Sequence, residues 1–240
     1  DLHSFPTRRS SDLSFKKEVK NDKFGYSELT LSNGVKVVLK QTDLKKDQVL
    51  LRAEGFGGEA LYGEEELPNL RMFGDVIEAS GLGNFSHTEL EKALAGKIAS
   101  ASLYMSNYRE HVSGSSTPKD VETMLQLVYL YFTNINKDQK SFDNLMQTTE
   151  VSLKNRLLQP ENVFSDSLTL TLGKHHPRVK PMTVDDLKKV NYDRILEMAK
   201  ERTANAAAYT FTIIGNYDEQ TIRPLIEQYL GSLPSQKKVS

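Results

Sequence analysis

Five histidines occur in 240 residues: His3 in the opening segment, then His87, His111, His175 and His176. Imidazole titrates near neutral pH and is the commonest metal ligand, so acid–base or zinc chemistry would start from these side chains. None is spaced for it. His175 and His176 are adjacent, and neighbouring side chains on a helix or strand point apart; they read as a solvated loop before Pro177. Ser86-His87-Thr88-Glu89 has the form of a capping box, which accounts for Glu89 without chemistry. His111 lies two residues from Arg109 on an expected strand, and a cation on the same face disfavours a metal.

Other residue types that could act are no better placed. Glu64-Glu65-Glu66 invites a cation-site reading, but at a helix start it complements the positive end of the dipole. Gly114-Ser115-Ser116 before Thr117-Pro118 could hold an anion on backbone N–H groups. It lacks the glycine and lysine spacing of a P-loop, so a helix cap is the expected role. Ser115 or Ser116 as a nucleophile would need a base and an orienting acid, and none is displayed. Tyr104, Tyr108, Tyr129 and Tyr131 could line a peptide chamber, yet their spacing predicts core packing. With no cysteine, disulfides, thiolate catalysis and cysteine-held zinc are excluded within the chain.

Lysine plus arginine number 31 against 32 acidic residues, a net charge of −1. That balance gives no basic face for nucleic acid and no polybasic membrane anchor. No run approaches the roughly 20 apolar residues that cross a bilayer, so membrane insertion is not expected.

Patterns begin at Phe24. Leu29 and Leu31, then Val35, Val37 and Leu39, alternate around Asn33-Gly34, a hairpin signal in which both turn positions would take positive φ. A third short strand runs over Gln48–Ala53 and is broken by Gly55, Gly57 and Gly58. A helix is expected over Glu64–Ser80, strands over Ile98–Tyr104 and Tyr108–Ser113, and a buried helix behind Thr117-Pro118. Phe142, Leu145, Met146, Thr149, Leu153 and Leu157 form a helical stripe within Gln139–Leu157, followed by a less regular helix over Glu161–Leu172. Thr183 starts another helix, Ala208–Ile214 is a late strand, and a last helix ends at Gly231 and Pro234. Hairpins first, a block of helices, then one strand and helix predict an α+β fold. Its sheet is mostly antiparallel with helices packed on one face.

Leu29-Thr30-Leu31-Ser32-Asn33-Gly34-Val35-Lys36-Val37-Val38-Leu39 resembles the opening hairpin of an M16 (insulinase/pitrilysin-like) peptidase domain. Phe211-Thr212-Ile213-Ile214-Gly215-Asn216-Tyr217-Asp218, with the segment Pro224–Pro234, resembles its closing strand and helix. Leu94-Ala95-Gly96-Lys97 and Gly114–Asp120 are similar to the third domain of long bacterial M16 proteins of the PqqL type. The resemblance implies a LuxS/MPP-like metallohydrolase fold and a polypeptide of several related domains that enclose peptide substrates. It also implies zinc on an H-x-x-E-H helix of another domain and a periplasmic or envelope location. The other domains of the same polypeptide, and peptides, are the implied partners.

An H-x-x-E-H helix puts two histidines four apart on one face, with the glutamate as general base. In the corresponding place this chain reads Leu67-Pro68-Asn69-Leu70-Arg71-Met72-Phe73, so Asn69, Met72 and Phe73 stand where the two histidines and the glutamate belong. No catalytic, cofactor-binding or metal-binding residue is therefore expected, and no cofactor in this chain. The expected function is a non-catalytic domain of a zinc metallopeptidase. The alternative is a structural homologue of the core-subunit kind, without proteolysis anywhere.

His3–Leu13 match one reading frame of a widely used sequencing adapter, so residues 1–13 are expected to be foreign and the chain a metagenomic fragment. Residues 14–23, charged and aperiodic, are expected to be a linker, 24–236 the inactive domain, and 237–240 the start of a linker to a following domain.

Overall fold

The computed structural model describes residues 15–236. The expected foreign segment, 1–13, and the expected linker start, 237–240, lie outside the described residues. The strands are β1 (Phe15–Asn21), β2 (Tyr26–Leu31), β3 (Lys36–Gln41), β4 (Val49–Phe56), β5 (Gly81–Leu82), β6 (Ala99–Met105), β7 (Arg109–Ser116), β8 (Ile135–Asn136) and β9 (Thr210–Gly215). The helices are α1 (Leu67–Glu78), α2 (His87–Ala93), α3 (Val121–Thr133), α4 (Gln139–Arg156), α5 (Pro160–Leu172), α6 (Val184–Leu187), α7 (Tyr192–Thr203) and α8 (Glu219–Tyr229).

Seven strands form one sheet in the order β1-β2-β3-β9-β4-β7-β6, while β5 and β8 make a separate two-stranded pair. Only β3 and β9 run parallel in the main sheet; the other neighbours are antiparallel. Cross-strand register places Leu29, Val37, Phe211, Ala53, Val112 and Leu103 in one row across six strands. Each of the six is at most 2% exposed, and burying an aliphatic side chain contributes about 1.5–3 kcal/mol. Alternate residues on the opposite face, Lys36, Lys40, Leu50, Arg52, Thr210 and Ile214, stay exposed, as the two-residue strand period demands. The α+β expectation, with helices packed over one face of a mostly antiparallel sheet, matches this architecture.

On the covered face α3 crosses β6 and β7 and packs against α7 and α8, and α1 rests on β6 and α7. α3 buries eight residues, including Met124, Leu125 and Val128, which fits its wide apolar arc. Thr117 caps its entry by accepting the Asp120 N–H, and Pro118 takes the first helical position. The capping box predicted at Ser86/Glu89 is formed, and a second, Thr183 with Asp186, starts α6.

Four local expectations are corrected. Residues 14–23 contain β1, which pairs with β2 over its length, so they are not simply a linker. As an edge strand with almost every side chain exposed, β1 buries no face and carries no alternation to read; its lysines are of the kind that guard sheet edges. Gly114-Ser115-Ser116 belong to β7 and the cap is Thr117, so their backbone groups serve the sheet rather than a helix start or an anion. At the hairpin only Gly34 takes positive φ, at 88°. The turn closes with Gly34 N–H donating to Leu31 and Leu31 N–H to Val35, a three-residue loop ending in a glycine bulge. Asn33 is thereby free to donate its amide to the carbonyls of Leu230 and Leu233, tying the hairpin to the end of α8. Finally, Glu64–Glu66 form a short 3-10 turn before α1 begins at Leu67.

Candidate functional site

The helix that could carry chemistry is α1. Pro68 sits in its first turn, where a missing N–H costs nothing, and Leu70, Met72, Phe73, Val76 and Ile77 turn into the core. Met72 and Phe73 are 3% and 1% exposed, so both point into packed hydrocarbon. Asn69, 6% exposed, faces α7. Its side-chain carbonyl accepts the backbone N–H of Asn191 at 2.7 Å, and its amide donates to Glu66 Oε2 at 2.7 Å. Asn191 in turn caps α7 by accepting the Arg194 N–H.

From there a chain of charges crosses the α1–α7 interface. Arg194 donates Nε to Glu66 Oε1 at 2.8 Å and a terminal nitrogen to Glu201 Oε1 at 3.0 Å. Tyr62 donates to Glu201 Oε2 at 3.0 Å, and Arg194 and Arg202 both lie against its ring. Arg202 reaches Glu110 Oε1 at 3.5 Å, and Glu110, 4% exposed, also accepts the Gly58 N–H. Burial pushes the Glu66 carboxyl up, but hydrogen bonds from Arg194 and Asn69 outweigh it and hold Glu66 below the usual carboxylate range. Glu201 behaves alike, burial opposed by Arg194 and Tyr62 with the net shift downward. Burial, countered by Arg202 and aided by Glu201, pushes the Tyr62 hydroxyl up to about 12. Every polar atom of Asn69 is spent inside the fold, and the positions of the other two motif residues present a thioether and a phenyl ring. The donor set does not fit zinc.

The remaining histidines are dispersed. His87 starts α2, donates its backbone N–H to Asp138 and lies 3.7 Å from Glu91. Lys174 and His175 take left-handed backbone conformations in an exposed turn, and His176 Nδ1 accepts the Arg178 N–H. Among the described residues no group of three or more His, Cys, Asp or Glu side chains converges as a metal would require.

Among the described residues His111 is the histidine with a suggestive environment. It stacks on Tyr104 at 4.7 Å, and its Nε2 lies 3.0 Å from Ser106 Oγ. Its Nδ1 is 3.4 Å from Glu54 Oε1, yet the two are not aligned as a hydrogen bond. Burial pushes the imidazole pKa down; Glu54 pulls it up, and Arg52 and Arg109 offset that pull. A serine–histidine–carboxylate contact is the grammar of nucleophilic catalysis. Here Glu54 is held by Arg52 and Arg109, and Ser106 Oγ also bonds the Arg109 carbonyl on an exposed hairpin tip. The orienting acid is thus already engaged.

Of the tyrosines, Tyr131 is buried as expected, whereas Tyr108 is 72% exposed beside the same hairpin tip. A cleft of about 790 Å³ opens where α3 and α7 end, lined by Phe132, Ile135, Leu196, Lys200, Thr203 and Pro234. A smaller one of about 400 Å³ at the start of α1 is bordered by Arg71 and Asp186, 3.8 Å apart. Sequence reasoning did not single out Glu66, Asn191, Arg194 or Glu201 as one group. The available signal was Arg194, Glu197 and Glu201 at i, i+3 and i+7 on one helix, a pattern that usually marks a solvated face. Among the described residues no helix is long and apolar enough to cross a membrane.

No protein-family profile matches the chain. It is 32% identical over 212 residues to an Arabidopsis thaliana protein named "Zinc protease PQQL-like", a match covering 88% of this chain and 20% of that protein. With the Escherichia coli "Probable zinc protease PqqL" it shares 22% identity over 205 residues, 85% of this chain and 22% of the relative. The fold superposes on the crystal structure of the periplasmic protease PqqL from Escherichia coli with a TM-score of 0.79 and 20% identity. That superposition covers 100% of this chain and 26% of the other. The chain thus spans about a fifth to a quarter of the proteins it matches.

Proposed function

We propose that this chain is a non-catalytic domain of a PqqL-type M16 protease: it walls a peptide-enclosing chamber while another domain holds zinc and cleaves. The observation that carries the reading is Asn69. At the place of a zinc-binding histidine it holds two structural hydrogen bonds, to Asn191 and Glu66. Among the described residues no pair of imidazoles meets a carboxylate around one point, the arrangement that activates a water on zinc. Support for a wall role comes from the large sheet, whose open face carries exposed side chains and whose strand β6 pairs on one side alone among the described residues. An edge of that kind can meet an extended peptide through backbone hydrogen bonds. The description of the Escherichia coli relative as periplasmic supports a periplasmic or envelope location for this domain.

The test uses the 240-residue chain. Purified and dialysed, it is expected to retain no stoichiometric zinc and to leave a quenched fluorescent peptide intact. Bound zinc at one per chain, together with chelator-sensitive cleavage, overturns the proposal.

A further inference from the structure

The geometry points to α5 as the surface by which this domain packs against another domain of the same polypeptide, a partner offering an uncharged apolar groove; the inference rests on the domain reading above. No residue of α5 is buried. Phe164, Leu168 and Leu172, at four-residue spacing, form one stripe and are 70%, 47% and 75% exposed. Leu157 and Leu158, in the preceding turn, are 62% and 79% exposed and extend it. A helix of 13 residues is marginal in water, and its stability in proteins comes chiefly from packing an apolar face. Among the described residues no side chain of α5 joins the hydrophobic core.

The chemistry of the stripe selects its occupant. Ser167 and Thr171 return their hydroxyls to the carbonyls of Val163 and Ser167, both at 2.8 Å. Asp166, the one charge between Val163 and Leu172, is paired with Arg156 at the end of α4. Along Phe164–Leu172 a dry partner therefore strands no unmatched charge, Glu161 one turn earlier marks the polar end of that stretch, and the Asp166–Arg156 pair fixes α5 against α4 before docking. Between Leu157 and Gly173 there is no lysine or arginine, so an anionic lipid surface finds no electrostatic hold. Relatives in which this segment is 20% and 22% of the length carry ample polypeptide to supply the groove. The arrangement is a helix laid in a groove, with Phe164 as its central anchor.

The chain lacks cysteine, so Phe164→Cys and Leu168→Cys each place a single thiol on the stripe, with Lys46→Cys on an exposed loop as control. Maleimide labelling is timed in the 240-residue chain and in the intact polypeptide carrying this segment, its other cysteines replaced. Residues 164 and 168 are expected to label at least about tenfold more slowly in the intact polypeptide, with the control unchanged. Equal rates in both overturn the inference. So does a gene product that ends with these residues, or an isolated chain that doubles in mass as its stripe becomes protected, which makes a second copy the occupant. Labelling reads neither zinc nor cleavage, so a free α5 in a metal-free domain rejects the docking surface alone.

Discussion

The side-chain carbonyl of Asn69 sits 2.7 Å from the backbone nitrogen of Asn191, 122 residues away, and joins the start of α1 to the start of α7. An asparagine serves this position better than a histidine would. It accepts from Asn191 with one end and donates to Glu66 with the other, whereas the two nitrogens of an imidazole exchange these roles with tautomer and both become donors on protonation.

Replacing it tests that role. Asn69→Ala leaves the Asn191 N–H without its partner and removes one of the hydrogen bonds on Glu66, which keeps Arg194, a loss of about 1–3 kcal/mol. For a chain of this length the melting temperature should fall by roughly 2–12 °C in thermal denaturation followed by circular dichroism. Asn69→His should melt early as well and still bind no zinc, because Met72 and Phe73 supply no further ligand. An unchanged melting point for Asn69→Ala removes the structural account of this residue.

Acid should loosen the same interface. Glu66 and Glu201 both titrate below the usual carboxylate range when folded, burial being outweighed by their bonds to Arg194 and its neighbours. A depressed carboxylate stabilises fully above its unfolded value, about 4.3, and that contribution is lost as the pH falls through the folded value. Urea midpoints are therefore expected to stay level from pH 7 to about 5 and to drop below about 4.3. Arg194→Met should lower the plateau and flatten the drop. A variant whose acid profile parallels the parent's would show that the pairing contributes nothing.

Gly58 offers a backbone test. It holds φ at +65°, and a Cβ there would lie 2.2 Å from the Ser106 carbonyl oxygen and 2.5 Å from the Arg109 nitrogen. Gly25 has nearly the same φ, +63°, with nothing within 4 Å of the place a methyl would take. Gly25→Ala should cost only the left-handed strain, about 1–2 kcal/mol, whereas Gly58→Ala must also displace the β6–β7 hairpin. Denaturant midpoints that rank the two alike would refute the close approach of that loop.

Much of the fold was legible because its signals are local. Val37, Leu39, Phe211 and Ile213 alternate with polar residues since a strand has two faces and only one is covered. Ser86, Thr117 and Thr183 announced helix starts since a cap needs an oxygen within three residues of the N–H it serves. β1 escaped notice because an edge strand wet on both faces has no pattern to display. Gly114–Ser116 read as the lead-in to a helix cap because small residues precede Thr117-Pro118, yet here they lie in an interior strand where Met124 packs closely over Gly114.

By itself the sequence determined the composition of the α1 helix, which offers Asn69, Met72 and Phe73 at the positions where the M16 resemblance implies two histidines and a glutamate; ligand chemistry depends on residue type, which is written residue by residue. What those residues do instead was decided only by the tertiary structure. The bonds from Asn69 to Asn191 and from Glu66 to Arg194 join positions 122 and 128 residues apart. No periodicity along the chain encodes such pairs, because they arise only when α1 and α7 are packed side by side.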